Sequence, residues 1–390
     1  MAQTWVPSLW KRLVVAALNA LADASRLLAR EPRDAIDVVP GDVRRILVVE
    51  LWNIGDVVLT IPFLAQIRVL FPQAKTTLLA QSHARKLLEG THLVDEFVEI
   101  NIPSRAAWLT YNPFAYDWQE LRRLRRELRE RKFDVAFQCR THIRERVLVA
   151  LSGARSRVGL VFADRDRLLT DPIPVDNPDR HKIDDWLRLL EPFGGPIETD
   201  TPSLEVSEPE RRWVADYLAR SGVSERDVVI GVHPGASLAE KRWPLDRFHE
   251  ITKILSIRSR ARVLAFVDPT GYGSTLGQIE GVITADFDLR RFISLIERCT
   301  LLVCNDSGPM HIAGALGVPT VAIFGFGAAR WFSPLGEGHE LVGAELTPRH
   351  SAEVLRSADP FALEDVSVSQ VLESVDRVLA RRESLPTVPA

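Results

Sequence analysis

Asn305-Asp306-Ser307-Gly308-Pro309-Met310-His311 follows the apolar run Leu301-Leu302-Val303-Cys304 and precedes an Ala-rich stretch. The order reads as strand, tight turn and helix start, with Ser307 at the N-cap and Pro309 in the first helical turn. The free N–H groups and positive dipole end of such a helix form a site for phosphate. Gly317-Val318-Pro319 stops the helix, and 320–325 returns as a buried strand. The same residues also have a purely architectural reading, because any βα turn of this class favours Gly and Ser, with His311 filling the first turn.

Two further segments carry chemistry. His233-Pro234-Gly235-Ala236-Ser237 follows the strand-like Val228-Val229-Ile230-Gly231-Val232. Lys241-Arg242-Trp243-Pro244 comes next, then an amphipathic helix with Phe248, Ile251 and Leu255 on one face. Small residues let the backbone approach an anion, and Lys241 brings a charge to it. Nearer the start, Arg45-Ile46-Leu47-Val48-Val49-Glu50-Leu51 runs into Trp52-Asn53-Ile54-Gly55-Asp56. Gly55 permits a sharp turn that leaves Asp56 at the carboxyl end of a parallel strand, where open α/β sheets place ligands. An Asp at that place is either a helix cap or a working carboxylate.

Together the three segments resemble glycosyltransferase family 9, the lipopolysaccharide heptosyltransferases. The matching pieces are Gly55-Asp56-Val57-Val58-Leu59-Thr60-Ile61-Pro62, His233-Pro234-Gly235-Ala236 to Lys241-Arg242-Trp243-Pro244, and Asp306-Ser307-Gly308-Pro309-Met310-His311-Ile312-Ala313 with Gly317-Val318-Pro319. The resemblance covers about residues 44–382. It implies an α/β chain of the GT-B fold, two Rossmann-like doubly wound domains facing across a cleft. It also implies an inverting transfer of a sugar from a nucleotide sugar, usually ADP-heptose, to a lipopolysaccharide core or related lipid-linked glycan. Another nucleotide sugar is the alternative donor.

Inverting transfer needs one carboxylate to take the acceptor proton and cations or N–H donors to meet the charge on the departing diphosphate. Asp56 is the candidate base, by its match to the family motif, and Lys241 the candidate cation, with Asn53 and Gly55 on the acceptor side. The expected donor contacts are His233, Pro234, Gly235, Ala236, Ser237, Asp306, Ser307, Gly308 and His311. Where the family usually has a Gly-rich turn and an acidic residue for the donor ribose, this chain has Asp268-Pro269-Thr270-Gly271-Tyr272-Gly273, so Asp268 stands in for that residue. Phe287, in Asp286-Phe287-Asp288, is a further expected donor contact that could flank the nucleobase, while Asp288 reads as a helix N-cap. The scheme requires no metal and no cofactor beyond the nucleotide-sugar substrate.

The chain's 390 residues suffice for two domains, and 46% hydrophobic with 26% charged residues is ordinary for a globular protein. A net charge of −3 carries no nucleic-acid footprint. Cys139, Cys299 and Cys304 sit in or beside apolar runs and read as reduced core thiols in a cytosol. No His/Cys cluster has the spacing of a metal site.

The organisation read from the sequence is an extension at 1–43, an acceptor domain at 44–204, a donor domain at 205–383 and a tail at 384–390, with a hinge near 202–207. Strands are expected at 46–51, 76–80, 98–100 and 135–138, then at 228–232, 262–267, 301–304 and 320–324. A helix over 117–132, capped by Asp117, turns Leu121, Leu124 and Leu128 inward. It exposes a basic face that is either solvated or in contact with acceptor phosphates or lipid headgroups. The last helix opens on a Ser367/Gln370 capping box.

At about 100° per residue, a helix over 9–30 would gather Arg12, Asn19, Asp23, Arg26 and Arg30 opposite Leu13, Ala17, Leu21, Ala24 and Leu28. With Trp5 and Trp10 it suits peripheral contact at the cytoplasmic face of an anionic inner membrane. Docking of its apolar face on protein, or a signal peptide, are the other readings. A nucleotide-sugar epimerase and a non-catalytic nucleotide-binding protein on the same fold remain as rival functions.

Overall fold

The computed structural model describes residues 38–100, 118–162, 167–177, 179–195, 201–258, 261–325, 329–343 and 363–384. The expected helix over 9–30 and the Asp117 cap lie outside them. The chain divides into two compact units. One holds the residues up to Asn53 and those from Thr60 to Asp200; the other holds Ile54–Leu59 and the residues from Thr201 onward.

The first unit is a six-stranded parallel sheet of β1 (Arg45–Val49), β2 (Lys75–Ala80), β3 (Glu96–Glu99), β4 (Val135–Gln138), β5 (Ser156–Val161) and β6 (Asp171–Pro174), ordered β3-β2-β1-β4-β5-β6. Val48 of β1 lies between Leu78 of β2 and Phe137 of β4. Central parallel strands are covered on both faces, which is why β1 is apolar from Ile46 to Val49 and fully buried there. The helix Trp118–Glu130 presses Leu124 and Leu128 into a core with Leu47, Val49, Ala136 and Leu148. Its basic run is partly paired: Arg123 reaches Glu120 at 2.6 Å and Glu127 at 2.7 Å, and Arg131 reaches Glu127 at 3.0 Å. Arg122, Arg125, Arg126 and Arg129 are exposed.

The second unit repeats the plan with β7 (Val228–His233), β8 (Ala261–Phe266), β9 (Val282–Ala285), β10 (Leu301–Asn305), β11 (Thr320–Ile323) and β12 (Glu340–Val342), ordered β12-β11-β10-β7-β8-β9. Both sheets thus have the strand order of a dinucleotide-binding doubly wound fold. The helix Leu245–Ser256 buries Phe248, Ile251 and Leu255. Val371, Val375 and Val378 of the helix Val368–Ser384 join the same core. The Ser367/Gln370 capping box forms, with reciprocal bonds of 2.8 and 3.3 Å. Cys139, Cys299 and Cys304 are buried thiols, and burial pushes Cys299 up to about 12.

Four strands were not expected: β5, β6, β9 and β12. Three of them close a sheet edge, where pairing on one side only relaxes the demand for apolar, proline-free sequence. The stretch that carries Pro172 and Pro174 is the edge strand β6, which pairs with β5 alone. No helix among the described residues is long and apolar enough to cross a membrane.

Truncating the fully buried Phe248 removes the ring that meets Trp243 edge-on at 5.0 Å. Phe248→Ala is expected to destabilise the second unit by about 3–5 kcal/mol, read as a lower denaturant midpoint in equilibrium unfolding.

Candidate active site

In the second unit the strand order reverses between β7 and β10, and a doubly wound sheet opens its ligand crevice at the carboxyl ends of such a pair. The segment after β7 is His233-Pro234-Gly235, and the segment that ends β10 is Asn305-Asp306-Ser307. One side chain ties them together. The buried Asn305 donates through Nδ2 to the Pro234 carbonyl at 2.7 Å and accepts through Oδ1 from the Trp243 N–H at 3.0 Å. Trp243 is buried in turn and donates its indole N–H to Val366 O at 2.9 Å.

Lys241, at the end of the short turn Ala239–Lys241, pairs Nζ with Asp306 Oδ2 at 2.5 Å. Asp306 is 7% exposed and Lys241 34% exposed at the side chain. The expected cation is therefore held by the carboxylate of a neighbouring motif residue. An ammonium has three hydrogens, so one bond to Asp306 leaves two for an oxyanion. Arg242 pins the loop beside it, donating Nε to Ala236 O at 2.9 Å with its guanidinium 4.4 Å from the Tyr272 ring centre. Ser237 is exposed, whereas Pro234, Gly235 and Ala236 are buried.

Asp268 follows β8 and uses Oδ1 to close its own turn, accepting from Thr270 N at 2.8 Å, Thr270 Oγ1 at 2.6 Å and Tyr272 N at 3.0 Å. Burial works to raise its pKa, but those hydrogen bonds prevail and hold it below the usual carboxylate range. Its Oδ2 lies against Gly235, where a Cβ would come within 2.8 Å. His233 is buried and meets Phe292 edge-on at 5.8 Å. Burial lowers its pKa to about 4, despite the opposing charge of Asp268, so the ring is neutral at physiological pH.

Ser307 occupies the N-cap of the helix Gly308–Ala315, but its hydroxyl donates to Asn305 O at 3.2 Å and makes no cap bond to the helix. Pro309 has no N–H and Met310 N bonds to Ser307 O at 3.1 Å. Gly308 N–H is thus the donor that this end of the helix offers first. Gly317, at φ +69°, ends the helix with Val318 N bonded to Ala313 O at 2.8 Å.

The helix Ile54–Leu59, which carries the half-buried Asp56 in its first turn, packs on the helix Gly308–Ala315 within the second unit. Two glycines permit this approach. A Cβ on Gly55 would fall 2.5 Å from His311 Cδ2, and one on Gly308 would fall 3.2 Å from Ile54 Cβ. The turn bearing Asp56 and the turn bearing Asp306-Ser307-Gly308 therefore meet, and Lys241 joins them through Asp306. Asn53 is exposed just before the helix.

Phe287 lies elsewhere, at the carboxyl end of β9, two strands from β7. Its half-buried ring meets Trp213 at 5.0 Å and Tyr217 at 5.1 Å, both edge-on, and Arg291 sits 4.8 Å from the Trp213 ring centre. Asp288 is the N-cap of the helix Leu289–Arg298, accepting from Arg290 N at 3.0 Å and Arg291 N at 3.3 Å. Sequence reasoning gave no role to Asn305, Arg242 or Trp243, which hold the site together. A lone amide at the end of an apolar strand is the signal that could have marked Asn305.

The family described as glycosyltransferase family 9 (heptosyltransferase) matches residues 121–361, more than half of the chain. Lipopolysaccharide heptosyltransferase 2 of Escherichia coli K12 is 25% identical over 367 residues, which is 87% of this chain and 100% of that protein. Among solved structures, the glycosyl transferase family 9 protein of Veillonella parvula has a TM-score of 0.72 at 24% identity, covering 89% of this chain and 100% of its own. The E. coli ADP-heptose lps heptosyltransferase II has a TM-score of 0.68 at 22% identity, covering 87% and 100%. Those two likenesses establish the fold as that of the GT-B heptosyltransferases. The family match includes two of the three motif segments and both sides of the β7/β10 crevice, and the chain accordingly belongs to glycosyltransferase family 9 and is a glycosyltransferase.

Proposed function

We propose that this glycosyltransferase moves heptose from ADP-heptose to a lipopolysaccharide core or related lipid-linked glycan, with inversion at the anomeric carbon. The observation that carries this reading is the meeting of the Asp56 turn with the 306–308 turn, with Lys241 held beside them. The names of the relatives supply the donor and the acceptor class. In this reading the second unit takes the nucleotide sugar and the first takes the acceptor.

The acceptor hydroxyl oxygen attacks the anomeric carbon on the face opposite the diphosphate. The new C–O bond forms as the bond to ADP breaks, and the hydroxyl proton passes to the Asp56 carboxylate. The electron pair of the broken bond leaves with ADP. Lys241 Nζ and Gly308 N–H meet that growing charge. The neutral His233 ring adds no competing positive charge, and Asn305 keeps the two phosphate-facing segments in register. We also assign residues 9–30 to peripheral contact with an anionic membrane that presents the acceptor.

Asp56→Asn preserves size and hydrogen bonding but accepts no proton. It is expected to bind donor normally and to lose on the order of 10²-fold or more in kcat. Near-normal turnover in that variant would remove Asp56 from the role of base.

Lys241→Ala is expected to lower kcat on the order of 10²-fold and to weaken ADP binding far more than adenosine binding in calorimetry. An equal loss for both ligands would instead mean that the turn collapses once Asp306 is left buried without its cation.

Deleting residues 1–37 should leave transfer to a water-soluble acceptor analogue intact while abolishing salt-sensitive partition onto anionic vesicles. Loss of activity on the soluble analogue would place that segment in the protein core or at a subunit interface.

A further inference from the structure

The first unit has its own reversal of strand order, between β1 and β4, and the chain leaving β1 there is Glu50-Leu51-Trp52. Trp52 is gripped from several sides. Its backbone N–H donates to Glu50 Oε1 at 3.0 Å and its indole Nε1–H donates to Glu145 Oε1 at 2.6 Å. Gln81 Nε2 donates to Leu51 O at 2.7 Å and to Trp52 O at 3.2 Å. The guanidinium of Arg140 lies 5.3 Å from the Trp52 ring centre, and the His142 ring meets it edge-on at 5.9 Å. Glu145 uses its second oxygen to accept from Arg140 N at 3.0 Å.

Glu50 and Glu145 are both 0% exposed. Burying two carboxylates is costly, and apolar packing would hold an indole more cheaply. What carboxylates add is direction: two acceptors fix the plane of the indole and the course of the backbone at once. Immediately beyond Trp52, the chain passes through Asn53 into residues 54–59, with Asp56 four residues on from the clamped tryptophan.

We propose that Glu145 and Glu50 are positioning residues for the transfer reaction, acting through Trp52 to set the path of residues 53–56 and hence the place of the Asp56 carboxylate. This rests on the reading of Asp56 as the base.

The test uses the full chain with Glu145→Leu, which removes both acceptors at similar size, Trp52→Phe, which keeps a ring but lacks the indole N–H, and the double variant. Each single variant is expected to lose about tenfold or more in kcat with the donor KM within about twofold of wild type, since a small displacement of a catalytic group is costly. The double variant is expected to be no slower than the slower single, because both changes break one interaction. Hydrogen exchange of the amides of residues 51–56 should quicken in all three.

Multiplying kcat losses in the double, or wild-type kcat in the folded singles, would overturn the proposal. Unchanged exchange over residues 51–56 would overturn it as well. If the wild-type chain transfers no heptose at all, the functional reading fails, and the exchange measurement alone then decides whether the clamp exists.

Discussion

A single buried amide, that of Asn305, sets the geometry on which the β7/β10 crevice of this enzyme depends. It spans the end of β7 and the segment before the helix Leu245–Ser256, giving one bond to Pro234 O and taking one from Trp243 N. Only a side chain with both a donor and an acceptor at its tip can make the two bonds. Without it, two buried backbone groups would be left unpaired, at about 1–3 kcal/mol each. With it, the loop after β7, the Lys241-Arg242-Trp243 stretch and the turn after β10 become one body. Lys241 can then find Asp306 across 65 positions of sequence.

The two sheets share a strand order but stabilise their reversal points by different chemistry. The second unit uses a neutral amide and a neutral imidazole, with Lys241 paired to Asp306 and the charged Asp268 and Arg242 fixing the loops beside them. The first packs two carboxylates beside a guanidinium. Burial raises the pKa of Glu145 well above the ordinary range, and the charge of Glu50 raises it further, against Arg140 and the Trp52 N–H. Burial likewise raises Glu50, against the charge of Arg140 and the bond from the Trp52 backbone N–H. The contrast fits the different demands of the proposed mechanism, in which an anion is received at one point and a segment of chain is held at the other.

Apart from β5, the interior strands, several helix starts and the glycine-bearing turns were legible because local chemistry alone dictates them. An apolar run of parallel-sheet length, a capping box and a Gly at a close approach have few other uses. The edge strands β6, β9 and β12 were illegible for the opposite reason, since a strand paired on one side tolerates the prolines of β6 and the polar start of β12. The Glu145 clamp was hidden more deeply. Ile143-Arg144-Glu145-Arg146 looks like the solvated turn of a surface helix, yet all four residues are buried. Whether a charge is buried depends on partners brought from distant elements, and no local pattern of residues records them. Asp268 and Phe287 show the same limit in reverse, for their place in a motif was visible while their engagement with Thr270 and with Trp213 was not.

The second unit is assembled from two separate stretches of chain, because residues 54–59 belong to it while their flanks belong to the first. Its helix Gly308–Ala315 is shaped for that insert, down to the hydrogen that replaces a Cβ at Gly308. A gene fragment beginning at residue 201 would therefore encode the second unit with an uncovered strip where Ile54 and Gly55 normally lie. The modularity suggested by two similar sheets does not extend to dissection: halves exchanged between relatives would have to carry this six-residue strap with the carboxyl-terminal half, and a boundary drawn only between the sheets would separate residues 54–59 from the helix they rest on.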